Sequence, residues 1–255
     1  MSVGSLTVTR DGEVAIVTLQ TAFSLNSTGK AQLADAVARL NSTQVPRTLI
    51  LSASHPQALL VDVAELADLS ATEARAFSSA GHRLAQALED APYPTIAAVE
   101  SPALGGGCEL VLACDLAIAG EGASFGQIEA LGGVMPAFGG TWRLARRVGY
   151  QRALEMMFTA AIVDASTACR YGLVLTVVPK GDALSQAKVI ASRVAKASSA
   201  SVSAIKRTAK LGWNLAPAAI DALEEANFPS LFGGDQSSRM HAYLKQQALQ
   251  AEAQQ

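Results

Sequence analysis

Short apolar segments alternate with helical patterns through the first half of this chain, and that alternation limits the folds open to it. Two of these segments, RTLILSAS (47–54) and TIAAVES (95–101), are bounded by polar residues and prolines, which is typical of buried strands. Helical patterns cover residues 28–40 and 72–89. Because strands separated by helices pair in parallel through right-handed crossovers, we expect a parallel sheet.

A tight hairpin precedes the first helix, and helices dominate the second half. The strands LTVT and VAIVTL flank RDGE between residues 6 and 19, and Asp11-Gly12 is a favoured two-residue turn. Further strands are predicted at LAIAG (116–120), ASFG (123–126) and LTVVP (175–179), and helices at 105–114, 141–148, 151–159, 165–171 and from 181 to 197 and beyond. The last segment, 216–249, is predicted to be rich in helix. The second half has too few strands for a sheet of its own. We therefore predict an α/β core over residues 1–195 and a helical C-terminal region over residues 196–255.

Composition excludes several classes of function. Half of the 255 residues are apolar, which is enough for a sizeable core. The formal net charge is −2, the pI is about 5.9 and no basic tract occurs, so we expect no nucleic-acid partner. The N-terminus lacks the pattern of a signal peptide, and no window holds about eighteen uninterrupted apolar residues. We therefore expect a soluble, cytoplasmic protein that does not enter a membrane.

The three cysteines predict neither a disulfide framework nor a metal site. Cys108, Cys114 and Cys169 are few and odd in number, unlike the paired sets of disulfide-rich proteins. Cys108 and Cys114 lie six residues apart without histidines at ligand spacing, so we expect no zinc site. Small buried apolar residues are the simplest interpretation of all three.

Three consecutive glycines, Gly105–Gly107, stand at the start of a predicted helix. A helix N-terminus has free N–H groups and a partial positive charge, and glycine leaves room for a ligand to approach them. The turn is therefore a candidate binding site for an oxyanion, such as a thioester enolate. A tight turn that packs closely and binds nothing is the alternative. The segment GGGCEL lacks the G-x-G-x-x-G spacing of a dinucleotide-binding turn.

Two glutamates accompany the glycines, each in apolar surroundings. Glu109 lies in the first turn of the predicted helix, and Glu129 follows twenty residues later, after SFGQI. Apolar neighbours raise the pKa of a carboxyl group, which suits a general acid at neutral pH. Each has an alternative explanation: Glu109 could compensate the helix dipole, and Glu129 could be an exposed loop charge.

The glycines and glutamates lie in a segment, ALGGGCELVLACDLAIAGEGASFGQIEALGGVMPAFGGTWRL (103–144), that resembles the signature of the crotonase superfamily, also called the enoyl-CoA hydratase/isomerase family. Three more segments are similar to that family: VAIVTLQTAFSLNS (14–27), YGLVLTVVP (171–179) and FPSLFGGDQSSRMHAYL (228–244). The resemblance covers about residues 6–246, which is nearly the whole chain.

The resemblance implies a crotonase-like α/β fold, a spiral of β-β-α units followed by a helical C-terminal trimerisation region. It also implies a homotrimer or a dimer of trimers. Members of the family bind acyl-CoA thioesters, so coenzyme A is expected as part of the substrate. No separate cofactor and no metal are expected.

The resemblance also implies roles for individual residues. The backbone amides of Gly106 and Val61 would form the oxyanion hole. Glu109 would orient and activate a water for attack at Cβ, and Glu129 would deliver a proton to Cα. The residues expected to line the substrate channel are Phe23, Ser24, Leu25, Asp62, Val63, Ala64, Gly105, Met135, Phe138 and Trp142. Of these, Met135, Phe138 and Trp142 would lie near the acyl end of the pocket, and ordinary core packing of their side chains is the alternative.

The second half of the oxyanion site departs from the family pattern. The family prefers small residues and a glycine where this chain has Leu59, Leu60 and Val61, and leucine resists unusual backbone angles. Charges that often face the coenzyme A phosphates are replaced by Ala64 and Phe23. Three hypotheses remain open: an enoyl-CoA hydratase, a Δ3-Δ2-enoyl-CoA isomerase or another reaction of the family, and a weakly catalytic or non-catalytic acyl-CoA-binding protein.

Overall fold

The computed structural model describes residues 2–3, 6–20, 23–53 and 55–252. Two predicted positions fall outside these ranges: residues 21–22, which precede the first helix, and Ser54, the last residue of the predicted strand 47–54. The chain divides into two compact units, Met1–Val194 and Ala195–Gln255. All strands in the described part of the chain lie in the first unit.

The elements are named in chain order. The strands are β1 (Ser2–Val3), β2 (Leu6–Asp11), β3 (Val14–Leu19), β4 (Thr48–Ala53), β5 (Thr95–Val99), β6 (Ala103–Leu104), β7 (Leu116–Gly120), β8 (Ser124–Gly126), β9 (Ile162–Asp164) and β10 (Thr176–Val178). The α-helices are α1 (Ser27–Ser42), α2 (Val63–Ala67), α3 (Ala71–Glu89), α4 (Gly106–Ala113), α5 (Gly140–Val148), α6 (Tyr150–Thr159), α7 (Ala165–Tyr171), α8 (Ala183–Ala195), α9 (Ser199–Gly212), α10 (Pro217–Asn227) and α11 (Gln236–Glu252). Short 3₁₀ helices cover Glu129–Gly132 and Pro229–Leu231.

The main sheet has seven strands in the order β1-β2-β3-β4-β5-β7-β10. β2 and β3 form the antiparallel hairpin, and every pairing from β3 to β10 is parallel. The predicted hairpin and parallel sheet are confirmed. A second, three-stranded sheet has the order β6-β8-β9. The sequence does not predict β6, β9 or α2, because so few residues cannot show a period.

Both faces of the main sheet are buried. On β3, Val14 and Ile16 point to one face, and Ala15, Val17 and Leu19 point to the other. The first face packs on the alanines of α8, and the second packs on the apolar sides of α1, α3 and α4. A sheet covered on both faces needs apolar residues at every position, which explains the uninterrupted apolar strands of the sequence.

The three cysteines are free, and two of them belong to the core. Cys108 and Cys114 are buried, whereas Cys169 is half-buried. No group of three or more His, Cys, Asp or Glu side chains among the described residues is arranged to hold a metal ion. Within the same residues, no helix combines the length and apolar character needed to cross a membrane.

Helix α1 begins at a side-chain cap. The side chain of Asn26 accepts a hydrogen bond from the Gly29 N–H at 2.8 Å, which satisfies a donor that the helix itself leaves free. Gly29 is held close to the preceding loop, because a Cβ on it would lie 1.9 Å from the Ser24 carbonyl oxygen. The cap therefore fixes the start of α1 against the loop that the sequence assigns to the substrate channel.

We expect Asn26→Ala to lower the free energy of unfolding by about 1 kcal/mol, because the capping acceptor is lost. Asn26→Asp keeps an acceptor at the same position and should change the stability much less. Urea unfolding followed by circular dichroism measures both variants. An equal loss of stability in the two would contradict a capping role.

Candidate active site

The turn between β6 and α4 carries the first amide of the predicted oxyanion site. Gly105 caps α4 with a φ of +53°, a conformation that residues with side chains rarely adopt. Its N–H donates to the Gly126 carbonyl at 2.9 Å, which fixes the turn against β8. Gly106 is the first residue of α4, so its N–H has no acceptor within the helix and lies at the positive end of the helix dipole.

Gly107 brings a distant segment against the start of α4. A Cβ on Gly107 would lie 1.8 Å from the carbonyl oxygen of Leu59, so only glycine permits this approach. The same Leu59 carbonyl accepts a hydrogen bond from the Leu104 N–H at 3.2 Å, and Leu59 forms an isolated parallel bridge with Ala103. These contacts align residues 59–61 along β6 and the first turn of α4.

The second predicted oxyanion donor lies beside the first. The Cγ2 atom of Val61 is 2.8 Å from the position that a Cβ on Gly106 would occupy. In the part of the chain that the structure describes, no acceptor is paired with the Val61 N–H, whereas the Leu60 N–H donates to Gln57 at 3.2 Å. The leucines cause no backbone strain, since Ala160 is the one described non-glycine residue with a positive φ.

Glu109 is buried in the first turn of α4 and is held by two backbone amides. Its Oε1 accepts from the N–H groups of Phe138 at 2.7 Å and Gly140 at 2.5 Å, and the residue is 1% exposed. Burial raises the pKa of Glu109 above the ordinary value, although the amides of residues 137, 138 and 140 and the charge of Arg143 oppose this. The two amides fix Oε1 and so orient the carboxyl group at the start of α4.

The loop that binds Glu109 is itself anchored by Arg143. One guanidinium nitrogen donates to the Phe138 carbonyl at 2.7 Å, and the other contacts Glu89 at 2.9 Å in a largely buried ion pair. The sequence analysis did not single out Arg143. Its only sequence signal is a charge on the core-facing side of a predicted helix.

Glu129 lies at the start of a 3₁₀ helix and faces the same turn. Its Oε1 is 2.9 Å from the position that a Cβ on Gly105 would occupy, so the carboxyl group touches the glycine turn. Burial raises the pKa of Glu129 to about 7, with a further contribution from the charge of Glu109. An exposed loop charge is therefore the wrong description of Glu129. The structure brings both glutamates to the N-terminal end of α4.

Gln127 is a site residue that the sequence analysis missed. It is fully buried, and its side-chain nitrogen, oriented toward Glu129, donates to Oε1 at 3.1 Å and to Oε2 at 3.2 Å. The same side chain reaches the space beside Gly140, near the carboxyl group of Glu109. Its only sequence signal is a polar amide two residues before Glu129 in SFGQIE.

Comparison with known proteins decides the family. A sequence profile described as enoyl-CoA hydratase/isomerase matches residues 9–253. The chain belongs to this family. The crotonyl-CoA hydratase of Syntrophomonas wolfei is 33% identical over 251 residues, which cover 96% of each protein. The short-chain-enoyl-CoA hydratase of Clostridium acetobutylicum is 30% identical over 256 residues and 98% of each protein.

A solved structure shows the same fold. The enoyl-CoA hydratase of Bacillus anthracis superposes with a TM-score of 0.90 at 29% identity, covering 95% of this chain and 96% of that chain. The predicted crotonase-like α/β fold is therefore confirmed.

The channel residues predicted from the family pattern have diverse surroundings. Phe23 and Leu25 are buried in the core, and the Leu25 N–H donates to the Leu60 carbonyl at 3.2 Å. The loop that contains Ser24 is thereby joined to the segment that carries Val61. The next residues form the start of α2: Asp62 caps this helix by accepting from the N–H groups of residues 64 and 65, and Val63 and Ala64 are exposed.

Phe138 is the one predicted acyl-end residue that contacts the oxyanion turn. Its ring is buried, and its Cε2 lies 2.5 Å from the position of a Cβ on Gly106. Met135 is 66% exposed, and the ring of Trp142 lies against the guanidinium groups of Arg143 and Arg146. Within the described residues, these contacts do not bring Met135 or Trp142 against the two glutamates.

We expect Gly107→Ala to destabilise the protein by about 3 kcal/mol, because the new Cβ meets a backbone carbonyl that cannot turn away. Gly132→Ala is the matched control, since a Cβ there meets nothing within 4 Å and should change stability by less than about 0.5 kcal/mol. Thermal unfolding of both variants gives the comparison. Similar melting temperatures for the two would show that residues 59–61 do not rest against α4.

Proposed function

We propose that this protein is an enoyl-CoA hydratase that adds water across the double bond of a trans-2-enoyl-CoA thioester. The observation that carries the proposal is the convergence of two carboxyl groups and two unpaired amides on the first turn of α4. The names of the relatives from Syntrophomonas wolfei and Clostridium acetobutylicum, both hydratases, support the same reaction.

The two amides would stabilise the charge that develops on the thioester oxygen. The Gly106 N–H belongs to a helix N-terminus, and the Val61 N–H lies beside it. Both are fixed before the substrate arrives, so no reorganisation is needed as the enolate forms. Loss of one such donor typically raises the barrier by about 3–4 kcal/mol.

The two carboxyl groups would divide the proton transfers. Glu109 accepts a proton from the water as the oxygen bonds to Cβ and the double bond opens. Glu129 gives its proton to Cα, which completes the addition of one water. The pKa of Glu129 at about 7 leaves a large protonated fraction near neutral pH, as this role requires. Gln127 would hold the Glu129 carboxyl group in place through its side-chain amide.

The chemistry needs no redox group or metal, so we propose that coenzyme A enters only as part of the substrate.

We also propose self-association into a trimer or a dimer of trimers. Within the second unit, large apolar side chains are exposed, which is typical of surfaces that another subunit covers. These side chains are Ile205, Leu211, Trp213, Leu215, Phe228, Phe232, Met240, Tyr243, Leu244 and Leu249. A cytoplasmic location and the absence of a nucleic-acid partner stay predictions.

Glu129→Gln should reduce the hydration of crotonyl-CoA by about 10²–10⁴-fold, because the amide cannot deliver the proton. Glu121→Gln, which changes an exposed carboxylate to the same amide, is the matched control and should keep full activity. Loss of the enoyl absorbance gives the rate, and mass spectrometry identifies the product. Full activity of Glu129→Gln would contradict the assigned role.

Product analysis also separates the other hypotheses. Isomerisation between Δ3 and Δ2 enoyl-CoA leaves the mass unchanged, whereas hydration adds one water. A non-catalytic acyl-CoA-binding protein would give neither product with the wild type.

The pH profile of kcat/KM for hydration should fall above about pH 7, because Glu129 then becomes a carboxylate and has no proton to give. Gln127→Met removes an N–H that stabilises this carboxylate, so the pKa of Glu129 should rise and the alkaline limb should move to higher pH. Kinetics between pH 5.5 and pH 9 measure the alkaline limb in the wild type and in Gln127→Met. An alkaline limb that stays in place in Gln127→Met would contradict the contact between the two side chains.

A further inference from the structure

Helix α1 places a lysine where a core residue is expected. Lys30 precedes Leu33, Val37 and Leu40 on the buried side of the helix, and only 2% of its surface is exposed. A lysine on the apolar side of a helix is rarely buried without a partner. The sequence shows this position, although the pattern of apolar residues alone draws no attention to it.

The ammonium group of Lys30 has no hydrogen-bond acceptor among the described residues. Its Nζ lies over the ring of Phe77, 2.7 Å from the centroid, which gives it a cation–π contact but satisfies no conventional acceptor. The charge of Glu65 acts on Lys30, but the Glu65 carboxylate oxygens accept hydrogen bonds from the Ser27 N–H, at 2.9 and 3.1 Å. Burial lowers the pKa of Lys30 to about 8, and Glu65 opposes this, so the amine is mainly charged at neutral pH.

One phenyl ring separates this ammonium group from the oxyanion turn. The Nζ of Lys30 is 5.3 Å from the centroid of the Phe138 ring. The Cε2 atom of the same ring lies 2.5 Å from the position of a Cβ on Gly106. The centroids of the Phe77 and Phe138 rings lie 5.4 Å apart, so Lys30 and the Gly106 turn contact the same pair of apolar rings.

We propose that Lys30 binds a carboxylate at the far end of the acyl group, so that the preferred substrates are enoyl-CoA thioesters of dicarboxylic acids. The inference rests on the proposed function of the site. An acyl chain of about five carbons, at roughly 1.5 Å per bond, spans a distance of this order. With the thioester oxygen at Gly106, its terminal carboxylate would give Lys30 the acceptor that the protein does not provide.

Such a charge gives specificity because it penalises the wrong substrate. A neutral acyl tail leaves the buried ammonium unpaired, whereas a carboxylate pairs with it in a dry environment. Sites built around a polar partner discriminate strongly against analogues that lack it. Apolar walls alone discriminate weakly between chains that differ by one methylene group.

The kinetic test measures three substrates with the wild type and with two variants. Glutaconyl-CoA carries the distal carboxylate, and 5-methylhex-2-enoyl-CoA carries an isopropyl group of similar shape in its place. Crotonyl-CoA has neither group and is too short to reach Lys30. In the wild type, kcat/KM for glutaconyl-CoA should exceed that for the isopropyl analogue at least tenfold. In Lys30→Met, kcat/KM for glutaconyl-CoA should fall about 100-fold, and kcat/KM for the isopropyl analogue should rise. The value for crotonyl-CoA should stay within threefold of that of the wild type. Lys188→Met, a surface lysine paired with Asp11, is the control for loss of a positive charge and should leave the order unchanged.

Binding separates this inference from the proposed reaction. Calorimetry with the saturated thioesters glutaryl-CoA and butyryl-CoA needs no turnover, and Lys30→Met should weaken only the binding of glutaryl-CoA. A wild type that hydrates no substrate but binds glutaryl-CoA through Lys30 would refute the reaction and support the inference. Equal losses for crotonyl-CoA and glutaconyl-CoA in Lys30→Met, or equal binding of glutaryl-CoA by both proteins, would overturn the inference.

Discussion

The close approach of Gly107 to the Leu59 carbonyl is the contact on which the site depends. It brings the segment that follows β4 against the first turn of α4, and so places the amides of Val61 and Gly106 side by side. These two segments are more than forty residues apart in sequence. The parallel pairing of β4 with β5 and the bridge between Leu59 and Ala103 set the register that allows them to meet.

The site brings several ionisable groups together in a buried part of the molecule. Glu109 is compensated by the amides of the 138–140 loop, and that loop is fixed by Arg143, whose own charge is paired with Glu89. Burial, with a contribution from the charge of Glu109, raises the pKa of Glu129 to about 7. Burial raises the pKa of both carboxyl groups, and backbone amides oppose this effect at Glu109.

The sequence predicts the long, periodic elements well, and it draws attention to the residues of the candidate site. The strands β3, β4 and β5 are mainly apolar because both faces are covered, and α1 and α3 show clear helical patterns. The glycine triplet and Glu109 are evident because their residue types are unusual at the start of an apolar helix. Elements of two to five residues, such as β6 and α2, cannot be predicted because their positions depend on tertiary contacts rather than on local preference.

Side-chain surroundings in the site were harder to anticipate. Phe23 and Leu25 lie in the core although the family pattern places them along the channel, and Trp142 stacks on two guanidinium groups. Gln127 and Arg143 matter through hydrogen bonds to Glu129 and to the Phe138 carbonyl, partners that only the folded chain reveals. A pattern in the sequence locates a residue along the chain, but its partners are set by packing.

The anion site is built from main-chain atoms, and this has an evolutionary consequence. A substitution at positions 59–61, proline excepted, changes the side chain without removing a donor N–H from the main chain. Substrate choice depends on side chains such as Lys30 and Phe138, which can be exchanged independently of the donors. In the proposed site, a substitution that changes substrate choice would therefore leave the main-chain donors in place.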